Sequence, residues 1–210
     1  MDKRLVVAGC GAFARELINW ADDAAAHGTG LPISGFLDAD PDALSGFAYR
    51  AEWLGDIDAY VPRAGEEVLV AIGDPAAKRD VVARLRARGA VFGSLRHPSA
   101  VIARTAALGA GVVLCPYSIV SADAHVGDFV AVNVQSSIGH DVRVGAYSTL
   151  SSHVDLTGHV EVGEAAFFGS GARVLPKVKI GAGAKIGAGA TVMRSVPERA
   201  VMYAMPAKRL

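Results

Sequence analysis

His140 and Asp141 stand side by side in a stretch that is otherwise mostly glycine, alanine, valine and small polar residues. An imidazole titrates near neutral pH and can take a proton from a nucleophile. A carboxylate beside it can hold one tautomer and raise the basicity of the ring. A His-Asp dipeptide is a weak signal alone; it gains weight here because it interrupts a repeat. Asp123, Asp141, His159 and Lys177 recur at eighteen-residue intervals, and Asn133 precedes His140 by seven. The reading is general-base chemistry, with Asn133 to Asp141 near one column that also holds His159. The alternative for the column is a solvated charge ladder.

The remaining histidines say less. No two of His125, His140, His153 and His159 are eighteen apart, so coil stacking is not expected to build a metal site, and no metal is expected. His97, before Pro98, closes a linker.

A second group lies near the amino end. Gly9-Cys10-Gly11-Ala12-Phe13-Ala14 fits G-x-G-x-x-A between a strand and a helix, where glycines let backbone N–H groups approach a phosphate. Asp38, after the second strand, suits a ribose or base contact, or turn chemistry before Pro41. A nicotinamide dehydrogenase shares the motif, but about 95 residues are too few for a full doubly wound dinucleotide domain.

Two grammars position these residues. Through residue 95, strands at Leu5–Ala8, Ile33–Leu37 and Val68–Ile72 alternate with helices over 12–26 and 76–88. Such alternation implies a small α/β unit with a parallel sheet. From Ile102 every sixth residue is aliphatic or Phe, without an insertion, through Leu108, Leu114, Val120 and onward to Val192. A six-residue period reads as one side of a triangular β-helix, three repeats per coil. Glycine often follows the apolar residue, as at Gly109, Gly127, Gly145 and Gly163, and is expected to supply positive φ at the turns. The fold class is α/β plus all-β: an acceptor-nucleotide-binding domain over 1–95 and a β-helix domain over 96–210.

Composition narrows the function. The 210 residues are 51% hydrophobic but 7% aromatic, with 24 Gly, and 21 basic residues balance 21 acidic ones. A net charge of zero gives no electrostatic case for nucleic acid or an anionic membrane. No apolar run reaches the ~20 residues of a membrane span, and Met1-Asp2-Lys3-Arg4 does not open a signal peptide. Cys10 and Cys115 are too few for a disulfide framework, so a cytoplasmic location is expected.

The chain resembles the NeuD/PglD-type bacterial sugar acyltransferases. The resemblance rests on Gly9-Cys10-Gly11, Phe36-Leu37-Asp38-Ala39-Asp40, Ala71-Ile72-Gly73-Asp74, His97-Pro98-Ser99-Ala100, Asn133, His140-Asp141, the hexapeptide run and Met205-Pro206-Ala207-Lys208. It implies a Rossmann-like domain joined to a left-handed β-helix. It also implies a homotrimer, acetyl-CoA as co-substrate and a nucleotide-linked amino sugar as acceptor in surface-glycan biosynthesis. His140 would be the base, Asp141 its partner and Asn133 a sugar contact. Gly9, Gly11, Ala12 and Asp38 would meet the acceptor nucleotide. Gly158, Ser170, Ala188 and Lys208 would meet CoA. Where many members carry a second histidine near the acetyl group, this chain has Thr149, which would join the CoA contacts; it or a backbone N–H at a coil corner is expected to stabilise an oxyanion, and Phe13 and Arg15 replace His and Lys in the glycine loop. Rival readings are O-acetylation of a sugar or sialic acid, a non-catalytic nucleotide-sugar-binding trimer, and a metal-dependent hydratase.

Overall fold

The computed structural model describes residues 3–205. Its amino-terminal part is a five-stranded parallel sheet, ordered β3-β2-β1-β4-β5. Strands β1 (Arg4–Ala8), β2 (Ile33–Leu37) and β4 (Glu66–Val70) form its centre; β3 (Glu52–Trp53) and β5 (Val91–Phe92) are the edges. Helix α1 (Ala12–Ala26) buries Ala14, Leu17, Ile18, Ala21 and Ala24 on one face. Helix α2 (Pro75–Ala87) buries Val81, Val82 and Leu85. Its start is fixed chemically: Pro75 suits the first turn, and Asp74 accepts from the N–H groups of Ala76 and Ala77 at 3.0 and 2.9 Å. Such a cap typically contributes about 1 kcal/mol.

The rest is a parallel β-solenoid of two-residue strands in three sheets. The sheets contain six, five and seven strands and form three faces. The seven-stranded face begins at Leu95–Arg96, paired to Val113–Leu114. Register repeats every eighteen residues, as in Ala131↔Thr149 and Ser137↔Asp155. Every member of the six-residue series from Leu114 to Val192 is buried, while Ile102 and Leu108 in the first coil are partly buried. The residue four places on, such as Val112, Val130, Val142 or Ala172, is also buried and fills the corners.

Glycine works differently from the sequence expectation. From Leu108 to Ile186, positive φ falls three residues after each inward apolar residue and mostly on types other than glycine, including Tyr117, Asp123, Gln135, Asp141, His153, His159 and Lys177. Each turn N–H is repaid by a hydrogen bond to the preceding coil: Asp141 to the Ala122 carbonyl at 3.1 Å, and Lys177 to that of Gly158 at 3.1 Å. The glycines directly after the apolar residue answer to closeness instead. A Cβ at Gly145 or Gly163 would lie 2.5 Å from the backbone nitrogen of Glu164 or Ala182 in the next coil.

The α/β unit packs on the early coils of the seven-stranded face. Val113, Cys115 and Ala131 share a core with Leu5, Leu17 and Ile18. Phe129 stacks on Tyr147 at 5.4 Å and meets Phe92 edge-on at 4.9 Å. At the same joint Lys78 of α2 is fully buried. Its ammonium donates to the carbonyls of Phe129 and Ser148 at 3.0 and 3.3 Å, and to the Thr149 hydroxyl at 2.8 Å. Among the described residues no helix is long and apolar enough to cross a membrane.

Candidate active site

His140 and Asp141 occupy the turn from Ser137–Ile138 on the six-stranded face to Arg143–Val144 on the five-stranded face. Val142 is buried at that corner, which turns its two polar predecessors outward. Nδ1 of His140 lies 2.8 Å from Oδ2 of Asp141. A carboxylate there selects the tautomer with the proton on Nδ1 and leaves Nε2 with a lone pair. The bond from His140 holds the Asp141 carboxyl below its usual range against an opposing desolvation effect, with further help from the charges of His159, His140 and Arg143. Asp141 is thus an anionic orienter.

The coil above completes this corner. Gly158 stacks eighteen residues beyond His140, and a Cβ there would lie 2.5 Å from Nε2. Glycine therefore leaves room for the imidazole, whose side chain is 61% exposed. His159 follows, its ring edge-on to that of His140 with centroids 5.1 Å apart and its Nε2 3.9 Å from Asp141 Oδ2. All three side chains reach solvent, and their ligand-type atoms lie within 4.8 Å of one another.

Other expected residues fall elsewhere. Asn133 is not brought to His140 within the chain. It opens the turn between the seven- and six-stranded faces, and its Nδ2 donates to the Leu150 carbonyl at 2.9 Å. The reason is the period itself: six residues traverse one face of the prism, so Asn133 belongs to the neighbouring edge. Ser170 and Ala188 stack on that same edge, both exposed. Thr149 faces the α/β unit, and its hydroxyl accepts from Lys78 in the buried joint. This tie holds the scaffold, and the side chain is not directed to the corner of His140. Lys208 lies outside the described residues.

At the amino-terminal motif, Gly9 has φ +84°, and Gly11 caps α1 without a side-chain bond. The first-turn amides, Ala12 included, lack a side-chain cap, an arrangement that favours an anion. Asp38 braces the loop: Oδ2 accepts from Cys10 N–H at 2.8 Å and Oδ1 from Asp40 N–H at 3.1 Å. Trp53 Nε1 donates to the Asp38 carbonyl at 3.0 Å, and Arg15 lies over the Phe47 ring at 4.1 Å. Burial pushes the Cys10 thiol up to about 11, which excludes it as a ready nucleophile.

Sequence reasoning missed Lys78, whose partners lie 51 to 71 residues away. It set His140 near the column of His159 but not the edge-on contact of the two rings, a diagonal one residue off the eighteen-residue column.

Comparison with known proteins fits this geometry. Residues 159–194 match the profile for bacterial transferase hexapeptide (six repeats). No curated protein sequence matches significantly. Among solved structures, a mutant of perosamine N-acetyltransferase from Caulobacter crescentus, bound to CoA and GDP-perosamine, is 31% identical. That match covers 98% of this chain and 95% of that one, with TM-score 0.84. The acetyltransferase domain of PglB from Neisseria gonorrhoeae, bound to acetyl coenzyme A, is 28% identical over the whole of both chains, with TM-score 0.84. WeeI from Acinetobacter baumannii is 26% identical over 99% of this chain and 100% of that one, with TM-score 0.83. With this identity and near-complete coverage, the chain belongs to the NeuD/PglD-type family of hexapeptide-repeat bacterial sugar acyltransferases.

Proposed function

We propose that the protein transfers an acetyl group from acetyl-CoA to the amino group of a nucleotide-linked amino sugar, with His140 as general base. The observation that carries this reading is the exposed imidazole of His140, its Nδ1 2.8 Å from Asp141 Oδ2 and its Nε2 bordered only by the side-chain-free Gly158 in the next coil. His140 Nε2 takes a proton from the amine as its nitrogen attacks the thioester carbonyl carbon. The tetrahedral oxyanion then collapses, the C–S bond breaks, and CoA leaves as thiolate, which the imidazolium can protonate. Backbone N–H groups at a corner are the donors available to the oxyanion.

The surrounding assignments belong to the same proposal. Residues 1–95 form a Rossmann-like acceptor-nucleotide domain, with Gly9, Gly11 and Ala12 meeting the nucleotide and Asp38 shaping their loop. Residues 96–210 form a left-handed β-helix, with Gly158, Ser170, Ala188 and Lys208 along CoA. The active assembly is a homotrimer. Of the three faces, one packs in its early coils against the α/β unit and one carries Arg143, Glu161 and Lys179. The six-stranded face exposes Val101 and Ile119, with Tyr117 at its margin. Asn133, Ser170 and Ala188 lie on one edge of that face, and His140 and Gly158 on the other. A three-fold assembly sets one edge of a chain against the other edge of its neighbour, which would reunite the two groups. The buried free thiols, Cys10 and Cys115, accord with a cytoplasmic location.

The test is release of CoA thiol from acetyl-CoA against a panel of GDP-, UDP- and dTDP-linked amino sugars and free sialic acid. Turnover on one nucleotide-linked amino sugar is expected. Turnover on sialic acid alone, or on none with acetyl-CoA unbound at millimolar concentration, would replace this reading.

A further inference from the structure

We infer that His140 Nδ1, Asp141 Oδ2 and His159 Nε2 form an inhibitory site for a divalent transition-metal ion, with Zn²⁺ the best fit. Two imidazoles and one carboxylate are the ligand types that zinc takes, and three protein ligands leave a fourth position for water. Tetrahedral coordination at ~2.0–2.2 Å sets ligand atoms about 3.4 Å apart. The observed separations of 2.8 Å (His140 to Asp141) and 3.9 Å (His159 to Asp141) bracket that spacing, and one ligand-type atom from each of the three residues lies within 4.8 Å of the others. Small side-chain rotations at three exposed residues close the difference.

The eighteen-residue rule joins Asp141 to His159 but not the two histidines, which are nineteen apart. His140 precedes the positive-φ turn residue of its coil, whereas His159 is the positive-φ residue of the next. The T-shaped ring contact is this diagonal. Turn N–H bonds fix the backbone beneath all three ligands, Asp141 to Ala122 and His159 to His140 at 3.1 and 3.0 Å. The ion therefore meets a partly organised site.

Inhibition follows from the tautomer, and this part rests on the proposed role of His140. In the metal-free ring the proton is on Nδ1 and the lone pair on Nε2. An ion on Nδ1 takes that lone-pair position, so the single ring proton of neutral imidazole must reside on Nε2. The base becomes a donor facing the acceptor amine. No net proton is consumed and no redox step is involved.

Zinc chloride titrated into the purified protein, by calorimetry and by equilibrium dialysis, tests the site without reference to turnover. One ion per chain is expected at micromolar concentration. Loss of an outer-sphere partner typically weakens metal binding about 10–100-fold, so His159→Ala, which removes a direct ligand, should weaken it at least tenfold. His125→Ala, an exposed histidine outside the group, should bind as the parent does. In the second arm, initial rates of acetyl transfer are taken before released CoA thiol competes for zinc. Inhibition reversible by EDTA is expected, displaced to at least tenfold higher zinc in His159→Ala relative to that variant's own zinc-free rate. No saturable binding up to millimolar zinc, or affinity and inhibition unchanged in His159→Ala, overturns the site. Zinc binding lost in His159→Ala, in a protein that transfers no acetyl group to any acceptor, would keep the site and remove the proposed activity instead.

Discussion

The Lys78 ammonium donates to the Thr149 hydroxyl at 2.8 Å across the joint between α2 and the solenoid, and both side chains are buried. Three acceptors surround the nitrogen, which matches the three N–H bonds of an ammonium. Burial nevertheless pulls its pKa down to about 7, opposed by the charge of Asp74. The residue that stands in the place of a second histidine is therefore occupied in joining the two parts of the chain.

This joint gives stability a pH dependence. The folded pKa of Lys78 lies below the unfolded value of 10.5, so between about 7 and 10.5 the unfolded chain binds more protons. Unfolding free energy should rise with pH across that window and be flat below it. In Lys78→Met this contribution disappears, so urea melts at pH 6.5 and 9 should show the parent gaining stability over the variant. Parallel curves for the two proteins would refute the assignment.

His140→Ala should lower kcat by about 10²–10⁴, the usual worth of a general base. Acetyl-CoA binding, followed by calorimetry, should remain. Asp141→Asn should cause a smaller loss, because the ring keeps its place but loses the anion that fixes its tautomer. Near-normal turnover in His140→Ala would remove this imidazole from the chemistry.

Two glycine substitutions should separate catalysis from folding. In Gly158→Ala the new methyl crowds His140 Nε2, an exposed side chain that can swing aside. The fold should persist while turnover falls. In Gly163→Ala the methyl meets backbone of the next coil, which cannot yield, and overpacking of this kind costs about 1–3 kcal/mol. Thermal melts and rates measured on both variants should show opposite patterns.

Asp38→Ala should raise KM for the nucleotide-linked acceptor with little change in kcat. The carboxylate accepts from two backbone N–H groups, and hydrogen bonds to a charged group contribute about 1.5–3 kcal/mol. Losing them frees the glycine loop without touching the corner of His140. A fall in kcat at saturating acceptor would argue for a direct role in the reaction.

What the sequence makes legible depends on how locally each feature is encoded. The solenoid is plain because its apolar residue repeats from Ile102 to Val192, and the five-residue strands at Ile33 and Glu66 each carry enough apolar residues to stand out. Strands β3 and β5 have two residues each and no pattern to read. His140 and Asp141 are legible as a pair because they are adjacent. The placement of Asn133 is not, since it requires counting faces as well as coils. Thr149 is least legible of all: its role is set by a lysine 71 residues earlier, through a docking that no periodicity announces.

The eighteen-residue register behaves like the pitch of a screw. Removing or adding six residues advances the thread by a third of a turn and would move every later side chain to a neighbouring face, separating His140 from Gly158. Eighteen residues restore the phase, so a whole coil can be gained or lost with all the edges still aligned. The length of such a chain is quantised, and small insertions are tolerated only where they bulge from a corner and leave the thread unbroken.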